Sequence, residues 1–228
     1  MAQKPKAWLS WSSGKDSAWS LQVMRQRGDV EIAALLTTVN LKYQRVAMHA
    51  VRESVLDAQA TAVGLPLVKV SIPSPCPNEV YERAMADAMA RARAVGVTHM
   101  AFGDLFLDDI RQYREENLVK YGMTPLFPLW LKDTRELAHE MIGSGLRAYL
   151  TCVDPRKLDA KFAGRAFDEE LLADLPAQVD PCGENGEFHT CVVAGPMLAS
   201  PIDLSVGEIV ERDGFVFADL IPRLATAR

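Results

Sequence analysis

Cysteine is scarce in this chain, and its spacing excludes more than its number does. Cys76, Cys152, Cys182 and Cys191 are the four present, and no two of them form a C-x-x-C pair. That spacing rules out a zinc knuckle and a dithiol redox centre. Four thiols in 228 residues, behind an N-terminus (MAQKPKAWLSWSSGKDS) that turns polar too soon for a signal peptide, read as reduced thiols of a cytoplasmic protein. Long apolar runs are missing too: none approaches the roughly 20 residues that a membrane helix needs. Nor is positive charge in excess. Lys and Arg number 25 against 30 Asp and Glu, a formal charge of -5 with no long basic run. Broad electrostatic binding to nucleic acid or an anionic membrane is not expected, although a local basic pocket is compatible with that balance.

What is present is an alternation. The chain is 49% hydrophobic and long enough to bury a sizeable core. AWLSW, VEIAALLTTV, LVKVSI, HMAFGDLF, MTPLFPLW and RAYLTCV read as strands, the second a nearly continuous apolar run suited to a central position. Amphipathic stretches lie between them. Gly28 and Gly64 stand where helices end, Asn78 reads as a helix cap, and Asp133 with Glu136 has the spacing of a capping box. Further on, EFHTCVVAG and EIVERDGFVFADL read as strands, with Asp213-Gly214 as a hairpin turn. The expected fold is α/β: an open, mostly parallel sheet with helices on both faces, plus a smaller C-terminal α+β subdomain. A change of character near Trp130 divides the chain into residues 1–130, a nucleotide-binding α/β domain, and 131–228, a subdomain for the acceptor.

The first strand-to-helix junction, LSWSSGKDSAWSL, carries the chemistry. Backbone N–H groups and a helix N-terminus at such a turn favour an anion. A Walker loop is excluded, because Leu9 stands where its first glycine belongs and Asp16 follows Lys15. A dinucleotide fingerprint is excluded as well, since no G-x-G-x-x-G follows the strand. SSGKDS resembles instead the S-G-G-K-D-S loop of the PP-loop ATP pyrophosphatases, the adenine nucleotide α-hydrolase-like superfamily. Ser13 stands where that loop has its first glycine, and a serine takes positive φ only at some cost. GDLFLDDIRQYREEN, TPLFPLW, FAGRAFD and DPCGENGEFHT resemble, in order, motifs of the N-type branch, which includes diphthine–ammonia ligase. The likeness spans roughly residues 7 to 195. It implies an ATP-dependent, AMP-forming ligase that adenylates a carboxylate for amidation by ammonia.

Several residues then acquire expected roles. Lys15 can reach a β- or γ-phosphate, with Ser12, Ser13, Gly14, Asp16 and Ser17 completing the loop. Asp16 and Asp104 are candidate Mg²⁺ ligands, with helix capping as the rival reading of Asp16. Thr37 and Thr38 end the second strand, where a nucleotide should sit, and Gly103 permits a close approach. Met48 and His49 match a family segment. Arg111, Glu115 and Arg165 are candidates for acceptor binding, although Arg111 and Glu115 also have the spacing of an ordinary helical ion pair. In GENGEFHT, Gly186 makes a turn and Thr190 is a substrate contact. Glu184, Glu187 and His189 can converge on an amine, Glu187 and His189 from one strand face. The expected partners are ATP with Mg²⁺, ammonia and a carboxylate-bearing acceptor, either a small molecule or a protein side chain, with a homodimer left open.

Three other readings compete. A related ligase with a different acceptor shares all of this machinery. A tRNA-thiolating enzyme would need a reactive cysteine pair and a basic surface, and a non-catalytic adenine-nucleotide binder would have no use for the SSGKDS loop.

Overall fold

The computed structural model describes residues 4–223. The first sheet is built from β1 (Lys6–Ser10), β2 (Glu31–Asn40), β3 (Arg45–Val46), β4 (Leu67–Ile72), β5 (Val97–Ala101) and β6 (Thr124–Leu126). Across it the order is β4–β2–β1–β5–β6 with every neighbour parallel, while β3 adds a short antiparallel rung on Val39 and Asn40 of β2. The helices between are α1 (Lys15–Arg27), α2 (Glu53–Val63), α3 (Asn78–Ala94) and α4 (Asp108–Val119). From β1 the chain builds outward through β2 to β4, then returns to build β5 and β6 on the other side. The order reverses between β1 and β5, and in open α/β sheets such a switch point is where ligands bind.

The strands alternate as a sheet covered on both faces must. Ala7 and Leu9 of β1 join a core with α1 and α2, whereas Trp8 joins a second core with Met89 and Ala92 of α3 and Leu118 of α4. After α5 (Thr134–Gly143) comes a separate antiparallel sheet in the order β8–β7–β10–β9. Its members are β7 (Arg147–Val153), β8 (Phe188–Ala194), β9 (Leu204–Arg212) and β10 (Phe215–Pro222), with α6 (Glu169–Asp174) inserted between β7 and β8. The first core is continuous with this sheet through Leu150, Phe188 and Val192. The α/β class, the mostly parallel sheet and the C-terminal α+β part are therefore as the sequence indicates.

Local signals match in most places. Gly28 and Gly64 close α1 and α2 in the left-handed conformation, and Asp133 accepts the Glu136 N–H at 2.9 Å. Asp213 and Gly214 both have positive φ, 52° and 77°, the requirement of a tight hairpin turn. Three expectations need correction. HMAFGDLF is strand only as far as Ala101, the end of β5, and the Gly103 turn that follows is outside the sheet. Asn78 is the first helical residue and not the cap: Pro77, whose ring fixes its φ at -62° and whose ψ of 145° makes it extended, occupies that position without a side-chain bond. MTPLFPLW forms a strand only over Thr124–Leu126, on the sheet edge, where Pro125 is tolerated without its N–H.

Candidate active site

The junction between β1 and α1 is built mainly from backbone and hydroxyl groups. Ser13 has a φ of 71° and is fully buried. Its carbonyl accepts from the Val192 N–H at 2.9 Å and from Gln59 Nε2 at 3.1 Å. Lys15 N–H, the first of α1, donates to Thr190 Oγ1 at 3.1 Å. Gly14 N–H donates to Ser12 Oγ at 3.3 Å, and Ser17 Oγ donates to the Gly14 carbonyl at 2.9 Å. The loop is thus pinned from both sides, by α2 and by β8. Gly103 lies two residues beyond the end of β5, and a Cβ there would stand 2.9 Å from the Asp16 carbonyl carbon. The two turns at the switch point therefore meet backbone to backbone, and a side chain at 103 would push them apart.

A cavity of about 330 Å³ opens above this contact. Of the residues expected from the sequence, Ser12, Lys15, Asp16, Ser17, Thr38, Met48 and His49 line it from the first half of the chain. Gly103, Asp104, Glu184, His189 and Thr190 complete the set. Lys15 is only 1% exposed. Its ammonium donates to Asp16 Oδ1 and Oδ2 at 3.0 and 2.9 Å and to the Cys182 carbonyl, and it lies 5.6 Å from the centre of the Phe188 ring. Burial opposes that charge, yet Asp16, with smaller contributions from Cys182 and Glu184, leaves the lysine pKa raised. Lys15 remains an ammonium facing the cavity.

Glu184 is a carboxyl group poised near neutrality. Burial pushes its pKa up to about 7, and Asp16 and Asp104 push the same way, against the Leu105 N–H that donates to Oε1 at 2.7 Å. His49 and His189 face one another with ring centroids 4.5 Å apart. Burial and the Lys15 charge lower His49 to about 4, against its bond to Thr190, and burial, His49 and Lys15 lower His189 to about 3. Both rings are therefore neutral at physiological pH. His49 Nδ1 is 3.1 Å from the Thr190 carbonyl, which can only accept, so the proton sits on Nδ1 and Nε2 is a bare acceptor. Asp104 accepts from Arg114 Nε at 3.2 Å. Among the described residues no group of three or more His, Cys, Asp or Glu side chains is placed to hold a metal ion by itself.

Other expected residues lie elsewhere. Thr37 is buried, and its hydroxyl donates to the Trp11 carbonyl at 2.7 Å. Arg111 pairs with Glu115 at 2.7 Å and stacks over Trp130, while Arg165 pairs with Asp174 at 2.8 Å. Gly186 forms a turn with a φ of 77°. Glu187 precedes β8 and turns inward: Oε1 accepts from the Asp180 N–H and from Asn185 Nδ2, each at 3.1 Å, and the residue is 3% exposed. It does not meet His189 in the cavity. Three consecutive residues, Phe188, His189 and Thr190, line the cavity instead, at a point where the β7–β8 register slips around Thr151. A strict period of two could not foresee that.

The sequence reading also missed contributors. Gln59 is fully buried and links three parts of the site: it accepts from Trp11 Nε1 at 3.0 Å and donates to the Ser13 and Val192 carbonyls. A glutamine between Leu56 and Ala60 on the apolar face of α2 was the available signal. The Cys182 carbonyl and the Phe188 ring had none. The Cys152 and Cys191 thiols are pushed up to about 12 by burial and Cys182 is raised by the same cause, so none of the three is a ready thiolate.

Comparison with known proteins follows this geometry. A family model described as the diphthamide synthase N-terminal domain matches residues 5–125, and the diphthamide synthase C-terminal domain matches 133–218. The chain belongs to the diphthamide synthase family. Relatives named Diphthine--ammonia ligase from Homo sapiens and Bos taurus are each 28% identical over 91% of this chain and 85% of their own length. One of the same name from Danio rerio is 31% identical over 77% of this chain and 73% of its own. The resemblance to PP-loop ATP pyrophosphatases thus holds for this member of the diphthamide synthase family. None of its described helices is long and apolar enough to cross a membrane.

Proposed function

We propose that the chain is an ATP-dependent ligase that adenylates a carboxylate and transfers it to ammonia, releasing AMP and pyrophosphate, as its relatives named Diphthine--ammonia ligase suggest. The observation that carries this reading is the β1–α1 loop at the switch point, which brings the N-terminus of α1, the Lys15 ammonium and carboxylates around one cavity. An acceptor carboxylate oxygen attacks the α-phosphorus, and the bond from that phosphorus to the bridging oxygen breaks as pyrophosphate leaves. Ammonia then attacks the acyl carbon, the C–O bond to AMP breaks, and nitrogen loses a proton. Glu184, at about 7, suits that proton transfer. The neutral pair of His49 and His189 offers hydrogen bonds without adding positive charge that would repel ammonium.

Asp16, Asp104 and Glu184 line the cavity beside the phosphate cradle, the first two answered by Lys15 and Arg114, and this donor set fits Mg²⁺, which one or two carboxylates and phosphate oxygens customarily hold. Bound there, the ion would screen the phosphates. All three donors of Lys15 are already matched, so a phosphate oxygen must displace Asp16 or the Cys182 carbonyl, and displacement of Asp16 frees it for the metal. The test is chromatography of nucleotide products while candidate carboxylates are supplied with ammonia. AMP and pyrophosphate in equal amounts are expected; ADP as the stoichiometric product would overturn the reading.

A further inference from the structure

A second cavity, of about 230 Å³, adjoins the first and shares Ala47 and Met48 with it. It lies between the segment around β3 and the β9–β10 hairpin. Tyr43, Phe215 and Phe217 wall it, with Arg45 and Arg212 as its cationic residues. The two arginines differ. Arg45 donates to Asp219 at 2.8 Å and to the Ala50 carbonyl, also at 2.8 Å, so its charge is answered. Arg212 is sandwiched, its guanidinium carbon 4.4 Å from the Tyr43 ring centre and 4.9 Å from that of Phe217. Among the described residues its nearest carboxylate is that of Asp213, at 4.0 Å and 82% exposed. Two rings fix the guanidinium plane while, among the described residues, no hydrogen-bond acceptor occupies its N–H donors. That is how a protein prepares an arginine to take a carboxylate in bidentate fashion.

We infer that this second cavity anchors the acceptor, and that the acceptor is a small acid with a flat or aliphatic body and two anionic groups. One group is activated in the nucleotide cavity, and the other is held by Arg212 between Tyr43 and Phe217. The shared Ala47–Met48 wall joins the two cavities, and Met48, 66% exposed, is the side chain an elongated ligand would pass. Among the described residues Asp213 is the one carboxylate on the rim, and its exposure leaves it mostly screened by water. The surplus charge in the second cavity therefore favours an anion. This inference rests on the ligase reading for the word acceptor, whereas the anion site itself stands on Arg212 alone.

The probe is benzene-1,3-dicarboxylate, titrated calorimetrically into the wild-type chain beside its neutral diamide. ATP affinity is measured separately. The diacid is expected to bind at least about tenfold more tightly than the diamide, the worth of one charge-assisted contact. Arg212→Gln should erase that preference and leave ATP affinity unchanged, while Arg212→Lys, which keeps the charge, should retain part of it. Equal binding of diacid and diamide, no binding of either, or an undiminished preference in Arg212→Gln would overturn the anion site. A preference that survives in a chain unable to bind ATP would sink the ligase reading while leaving the anion site standing.

Discussion

The loop after β1 and the segment before β8 make an instructive pair, because both carry dense polar motifs and only one behaves as its local pattern implies. In the first, the groups that matter are backbone: N–H donors at a helix start, a left-handed turn at residue 13, and a glycine at 103 that lets two backbone segments touch. Their positions follow from the strand–turn–helix order itself. In the second, the groups are side chains whose targets lie on other elements. Glu184 reaches the cavity, Glu187 folds back to tie down Asp180 and Asn185, and His189 arrives beside His49. Sites built from backbone are legible in a short stretch, and sites built from converging side chains are not.

The largest effect that would break this comparison concerns Lys15. Removing a buried ammonium that faces the phosphate cradle, Lys15→Ala, should weaken ATP binding by about ten- to hundredfold, the worth of one charge-assisted hydrogen bond. Equilibrium binding of the folded variant measures it, and wild-type affinity would show that the loop is not the nucleotide site.

Next in size is Glu187. If it secures the turn rather than handles substrate, Glu187→Ala should lower unfolding stability by about 1–3 kcal/mol, because two part-buried hydrogen bonds to its carboxyl group are lost, while ATP affinity stays within a few-fold of wild type. Denaturant unfolding and a nucleotide titration on the same preparation decide it. Unchanged stability together with lost turnover would return Glu187 to the chemistry.

The smallest effect sharpens the loop side. Ser13 holds a φ of 71°, and its buried hydroxyl has no hydrogen-bond partner among the described residues. Ser13→Gly relieves that backbone strain at the entropic cost of a glycine in the unfolded chain, for a net gain of about 0.5–1 kcal/mol. Thermal unfolding reads it, and a loss of stability would mean that the serine hydroxyl contributes something this geometry does not show.

Much of the fold was open to reading in advance. The apolar run of β2, the glycine stops of α1 and α2, the Asp133 cap and the Asp213-Gly214 turn are decided within a few residues of chain. The position of Asn78 and the length of the MTPLFPLW strand were not legible, because Pro77 and Pro125 reshape their neighbours' options in ways that side-chain preference does not register. Within the site, Gln59 was visible as a polar residue on an apolar helix face, yet nothing local said what it would hold.

The sequence by itself determined the phosphate turn, the parallel alternation and the hairpin, because hydrogen bonding along a strand, a helix start or a turn is satisfied locally. Tertiary structure alone decided which carboxylates face the cavity and which imidazoles pair. It also decided that Cys182 offers its carbonyl to Lys15 and that Arg212 stands between two rings. Those outcomes depend on the packing of the second sheet against the first and on a register slip near Thr151, and both are set by contacts between residues far apart in the chain.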